Sequence, residues 1–113
     1  MKKLIHVNDI FYARLKTIID FNLDNVDLHA DTIASALTIS KSTLNRKLKE
    51  MGKPAINELI KEYRLKHSIR ILSAGYTVRE TSKRVGFKTS SYFTQCFKMY
   101  YHATPAWFAK QYA

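Results

Sequence analysis

One cysteine, two prolines and three glycines are all that a 113-residue chain carries of crosslinking and chain-breaking residues. With Cys96 alone no internal disulfide can form, so packing must hold the fold, and a reducing compartment is the natural setting. So little glycine and proline, and no run of alternating β-branched residues, argue against sheet and for an all-α chain. No stretch approaches the roughly 20 apolar residues of a membrane span. The few apolar residues before Asn8 are too short for a secretory leader. Both absences predict a cytoplasmic protein without membrane contact. Catalytic groupings are missing as well. His6, His29, His67 and His102 are scattered without metal-ligand spacing, no nucleophile stands beside a base, and no glycine-rich phosphate loop occurs, so no enzyme, metal or cofactor is expected.

Acidic residues are also scarce: 9 Asp and Glu face 19 Lys and Arg, for a net charge of +10. The deficit is uneven, because all five Asp lie within residues 1–31, where four basic side chains offset them. Residues 32–113 hold fifteen basic and four acidic side chains, a net of +11. A cationic field of this size favours a polyanion, because neutralising phosphates releases condensed counterions. The chain is 46% hydrophobic and 12% aromatic, which at this length predicts one domain with one modest core.

Helical periodicity organises the rest. Asn8 is placed to cap a first helix in which Phe11, Leu15, Ile18 and Ile19 form one stripe, ending near Asn22. A second helix is expected over about His29–Leu37, followed by a turn at Thr38-Ile39-Ser40 and a third over Lys41–Met51, with Ser40 as cap. In the third, Leu44, Leu48 and Met51 face inward, while Ser42, Asn45, Arg46 and Lys49 repeat on the opposite side. Gly52 ends it, and Pro54 opens a long helix running to about Ser73 with Ile56, Leu59, Ile60, Tyr63, Ile69 and Leu72 inward. Some twenty residues at about 1.5 Å each give this helix nearly 30 Å of length. Thr77-Val78-Arg79-Glu80 has the form of a capping box for a fifth helix to about Val85. Gly86-Phe87 turns into a sixth over Thr89–Tyr101, with Phe93, Cys96, Phe97 and Tyr100 inward. Thr104-Pro105 opens a last short helix containing Trp107 and Phe108. The expected core includes Leu44, Tyr63, Phe93, Phe97 and Trp107.

The chain repeats itself. A short helix, a tight turn and a helix with a polar outer stripe occur at 29–51 and again at 77–101. Ile39 matches Phe87, Leu44 matches Phe93 and Leu48 matches Phe97, with one extra residue between turn and helix in the second copy.

The residues Gly86-Phe87, Tyr92-Phe93, Phe97-Lys98 and Thr104-Pro105 closely resemble the signature of the AraC/XylS family. Ile33-Ala34, Ser40, Leu44, Gly52, Arg64-Leu65 and Ile71-Leu72 resemble its first unit and linker, so the likeness covers roughly residues 8–110. It implies about seven helices in a single DNA-binding domain over 1–113. That domain has two homeodomain-like helix-turn-helix subdomains, at about 29–51 and 77–101, and a linker helix at about 54–73. The implied function is sequence-specific binding of double-stranded DNA by a bacterial transcription regulator, with activation favoured over repression. Two reading helices about one helical turn (~34 Å) apart can enter successive major-groove segments, so a monomer can read an asymmetric site. The resemblance also leaves room for RNA polymerase as a partner and for a sensor or dimerisation domain outside this chain. The sequence departs from the family pattern at His102, where a helix-ending glycine is usual, at Ser68, at Thr81-Ser82 and at Lys88.

Arg pairs bidentately with guanine, and Asn or Gln with adenine, so Ser42, Asn45 and Arg46 in the first unit are base-reading candidates. Ser90, Ser91 and Gln95 hold the corresponding places in the second. Lys41, Lys47, Lys49, Lys88 and Lys98 are candidates for phosphate contacts, which fix register without reading sequence. Two other classes compete. An RNA-binding module would bind RNA and duplex DNA alike, and a protein-binding adaptor would bind no DNA.

Overall fold

A computed structural model describes residues 6–112. Among them are seven helices and no strand: α1 (Val7–Phe21), α2 (Ala30–Ala36), α3 (Lys41–Glu50), α4 (Ile56–Ser73), α5 (Val78–Arg84), α6 (Ser90–Tyr101) and α7 (Pro105–Gln111). The chain divides into two compact units. The first takes in the residues up to Asn22 and Leu28–Ile60; the second takes in Leu23–Asp27 and the residues from Lys61 on. Each unit is assembled around one helix-turn-helix, α2–α3 in the first and α5–α6 in the second.

In the first unit α1 packs on α2 and α2 on α3. Leu15, Ile19, Ile33, Leu44 and Leu48 are fully buried, and Ala34, Leu37, Ile56, Leu59 and Ile60 nearly so. The α1 cap is not Asn8. His6 Nδ1 accepts from the Asn8 amide at 3.1 Å while Asp9 reaches back to the His6 amide at 3.2 Å, completing a capping box. His29 caps α2 in the same manner, Nδ1 accepting from the Asp31 amide. An imidazole nitrogen supplies here the acceptor that Ser, Thr or Asp supplies elsewhere.

In the second unit α5 packs on α6, and α7 on both. Leu65, Leu72, Val85, Phe87, Phe93, Cys96 and Phe97 make the core, with Phe108 and Tyr101 packed against it. Phe93 lies with its ring centre 5.2 Å from Phe87 and 5.7 Å from Phe97, so the expected aromatic stripe is the interior. Thr81 and Ser82, the polar departures on α5, are buried there. Two expected core residues are not core: Trp107 is 55% exposed and Tyr100 39% exposed. Both flank the buried stripe, where Phe108 on α7 and Tyr101 on α6 fill the inward space instead. Tyr63 is half-buried.

The two turns are built alike. The Thr38 amide donates to the Ser35 carbonyl and the Ile39 amide to Ala34; the Gly86 amide donates to Lys83 and the Phe87 amide to Ser82. This is the Schellman closure, which needs a left-handed residue after the helix. Gly86 (φ 84°) supplies it without strain, but Thr38 (φ 58°) is a β-branched residue in the same conformation. A third such closure at Gly52 (φ 70°) ends α3, with the Lys53 amide on the Leu48 carbonyl.

Pro54 does not open α4. The helix begins two residues later at Ile56, whose amide is taken by Asn45 Oδ1 at 2.9 Å. Ile56, Leu59 and Ile60 serve the first core, and Leu65, Ser68 and Leu72 are buried in the second unit. The hydroxyl of Ser68, where the family pattern has a small apolar residue, donates to the Leu65 carbonyl within the helix.

Candidate nucleic-acid interface

Each unit presents one helix that starts at a hydroxyl cap. Ser40 Oγ accepts from the Thr43 amide at 3.1 Å and Thr89 Oγ1 from the Tyr92 amide at 3.0 Å. With the caps fixed, the buried residues fix the outer faces. Burying Leu44 and Leu48 turns Ser42, Arg46, Lys49 and Glu50 of α3 to solvent. Burying Phe93, Cys96 and Phe97 turns Ser91, Gln95 and Lys98 of α6 outward. Aligned at Leu44 and Phe93, Ser42 corresponds to Ser91, Arg46 to Gln95 and Lys49 to Lys98.

Five of the sequence-derived candidates are set differently from this pattern. Asn45 is half-buried and its carbonyl oxygen holds the Ile56 amide, so the acceptor needed for bidentate adenine pairing is engaged within the protein. Lys47 is half-buried, its ammonium 5.2 Å from the Phe11 ring centre. Ser90 is half-buried on the inner flank of α6. Lys41 is exposed, 4.0 Å from an Asp31 carboxylate oxygen. Lys88 is exposed too, one residue before the cap of α6.

Three features of these faces were not anticipated. Arg46 Nη1 donates to Glu50 Oε1 at 2.9 Å, both side chains being more than half exposed. Met99, one turn beyond Gln95, is 81% exposed and gives the α6 face an apolar end. Lys53 lies over the Tyr12 ring at 4.8 Å, as Lys47 lies over Phe11. The i, i+4 spacing of Arg46 and Glu50 was the available signal for the first; nothing local marks the aromatic partners of the lysines.

The second face depends on one buried side chain. Arg64 is 8% exposed; its Nη1 donates to the Gly86 carbonyl at 2.7 Å and its Nη2 to the Asn25 carbonyl at 2.8 Å. Burial pushes its pKa down, opposing the charged form. The guanidinium nevertheless fixes the turn before α6 and the loop Leu23–Asp27 in one arrangement. Its place in α4 was visible in the sequence only as part of Arg64-Leu65.

Known proteins show the same organisation. A family model for a helix-turn-helix domain matches residues 33–111. The urease operon transcriptional activator of Escherichia coli is 34% identical over 84 residues, covering 74% of this chain and 28% of that protein. Histidine kinase P4 of Formosa agariphila is 30% identical over 97 residues, covering 85% of this chain and 7% of that protein. The chain therefore spans only a small part of both relatives. A crystal structure of a DNA-binding transcriptional dual regulator from Escherichia coli K-12 matches with a TM-score of 0.83 at 25% identity, over 99% of this chain and 97% of that one. No helix of the described residues is long and apolar enough to cross a membrane.

Proposed function

Since the chain belongs to the AraC/XylS family and is one of its helix-turn-helix DNA-binding domains, we propose that it reads one asymmetric duplex site as a monomer, α3 and α6 entering successive major-groove segments. The observation that carries this reading is the duplicated outer face, Ser42-Arg46-Lys49 on α3 and Ser91-Gln95-Lys98 on α6, each exposed on a capped helix.

Arg46 pairs with guanine O6 and N7, and Gln95 with adenine. Ser42 and Ser91 add weaker preferences, and Met99 suits a thymine methyl at the far end of α6. Lys41, Lys49, Lys88 and Lys98 contact phosphates. Asn45, Lys47 and Ser90 serve the fold rather than the bases.

The protein works in the cytoplasm as a transcription activator, in keeping with its resemblance to the urease operon activator. RNA polymerase is then its second partner. Its likeness to a small part of a histidine kinase fits an output module that a sensor or dimerisation domain controls.

Selecting sites from random duplex DNA, then measuring affinity of the winners across salt, tests the reading. Two different short elements about one helical turn (~34 Å) apart are expected. Two identical inverted elements would mean dimeric use of one unit. Salt-steep binding without enrichment would remove sequence-specific regulation altogether.

A further inference from the structure

The Arg46–Glu50 contact places a carboxylate on a surface that should repel it. Residues 32–113 hold only four acidic side chains against fifteen basic ones, yet one stands on the reading face one turn from its arginine. A carboxylate brought toward a phosphate backbone weakens binding to every DNA sequence, so its presence needs another explanation. The second unit sharpens the point. At the places of Arg46 and Glu50 it has Gln95 and Met99, lacking both the guanidinium and the acid.

We infer that Glu50 is a specificity-determining positioning residue: it holds Arg46 in the guanine-reading orientation and makes Arg46 a poor phosphate ligand. The inference rests on the proposed guanine contact of Arg46. A guanidinium has five N–H donors in a rigid plane. Glu50 Oε1 occupies one at Nη1, 2.9 Å away. Nε–H and the neighbouring Nη2–H remain as a parallel pair along another edge, matched to guanine O6 and N7. Guanine can therefore be read while the Glu50 contact stays intact. A phosphate that drew the whole guanidinium away would leave Glu50 unpaired beside a second anion. The same carboxylate thus supports the specific complex and opposes the non-specific one. The exposed pair contributes little to folding, and its effect is on the ratio of specific to non-specific binding.

The test uses the full chain with Glu50→Gln, which keeps shape and removes charge, together with Arg46→Ala and the double variant. Each is titrated against the selected site, the site with its Arg46-dependent G·C pair replaced, and a random duplex. Helical content by circular dichroism checks that the exposed substitutions leave the fold intact. Glu50→Gln is expected to tighten random-duplex binding about five-fold, to steepen its salt slope by roughly one phosphate, and to cut discrimination at the G·C pair about five-fold. In the Arg46→Ala background the same change should leave discrimination untouched. Equal tightening on all three duplexes would reduce Glu50 to a charge and overturn the inference. Loss of discrimination that persists without Arg46 would make Glu50 a base-contacting residue and overturn it too. If Arg46→Ala alone retains full discrimination, the guanine contact itself fails, which separates the parent reading from the inference built on it.

Discussion

The Arg64 guanidinium donates to the carbonyl of Gly86 over 2.7 Å, with its second nitrogen on Asn25. One buried cation thereby ties the linker helix to the turn that launches α6, and among the described residues no carboxylate pairs with it. One buried and one part-buried carbonyl rely on a planar fork that lysine cannot reproduce. Arg64→Lys should cost about 2–3 kcal/mol, the penalty of leaving one carbonyl unpaired and one donor misplaced. Urea unfolding monitored at 222 nm measures it. A loss under about 0.5 kcal/mol would mean that water satisfies these carbonyls as well as Arg64 does.

Gly86 and Thr38 predict opposite signs at equivalent places. A methyl group on Gly86 would run into the Leu23 carbonyl and press on the Arg64 guanidinium, in addition to the left-handed φ of 84°. Gly86→Ala should therefore destabilise by about 3 kcal/mol or more, the conformational term of 1–2 kcal/mol being the smaller share. Thr38→Gly should stabilise by about 0.5–1 kcal/mol, because it relieves a β-branched residue of the same conformation at some cost in chain entropy. Thermal melts of the two variants decide both. If Thr38→Gly destabilises, the Thr38 hydroxyl's bond to the Leu37 carbonyl at 2.6 Å outweighs the backbone strain.

These opposite signs also show what the sequence disclosed. Gly86-Phe87 announced a turn, because glycine marks left-handed backbone, whereas Thr38 carried no such mark and only its alignment with Gly86 located it. Apolar spacing placed Leu44, Leu48, Phe93 and Phe97 in the cores, and the hydroxyl caps at Ser40, Thr77 and Thr104 set the starts of their helices, whereas Thr89, expected inside α6, is its cap. Periodicity tells inside from outside and no more. It could not show that Asn45 spends its carbonyl on Ile56, that Lys47 rests on Phe11, or that Arg64 points inward, since each partner lies far along the chain. Trp107 belongs to the expected core, but it is exposed and Phe108 beside it packs against the core instead.

Lys49 and Lys47 sit two residues apart on α3 and should behave differently. Lys49 is exposed on the outer face, so Lys49→Ala is expected to weaken binding to all sequences alike and to lower the salt slope by about one. Lys47 lies over Phe11, so Lys47→Ala should cost about 0.5–1 kcal/mol of stability and leave the slope nearly unchanged. Affinities between 50 and 300 mM salt, with melts of both variants, separate the two roles. A base-specific loss for Lys49→Ala, or a full unit of slope lost for Lys47→Ala, would reverse these assignments.

Asn45 offers the sharpest contrast between reading DNA and building the reader. Its residue type and its place on α3 suit adenine recognition, yet Oδ1 accepts the Ile56 amide at 2.9 Å, where α4 begins. A first-turn amide has no partner within its own helix, so losing this acceptor resembles losing a helix cap and should cost about 1–2 kcal/mol. Asn45→Asp keeps the acceptor and should retain most of that stability, whereas Asn45→Ala should not. If Asn45 acts only through α4, Asn45→Ala weakens every DNA sequence by one common factor and the selected motif keeps all its positions. If the motif instead loses an A·T preference while the melting temperature holds, the side chain leaves Ile56 on binding and reads the base.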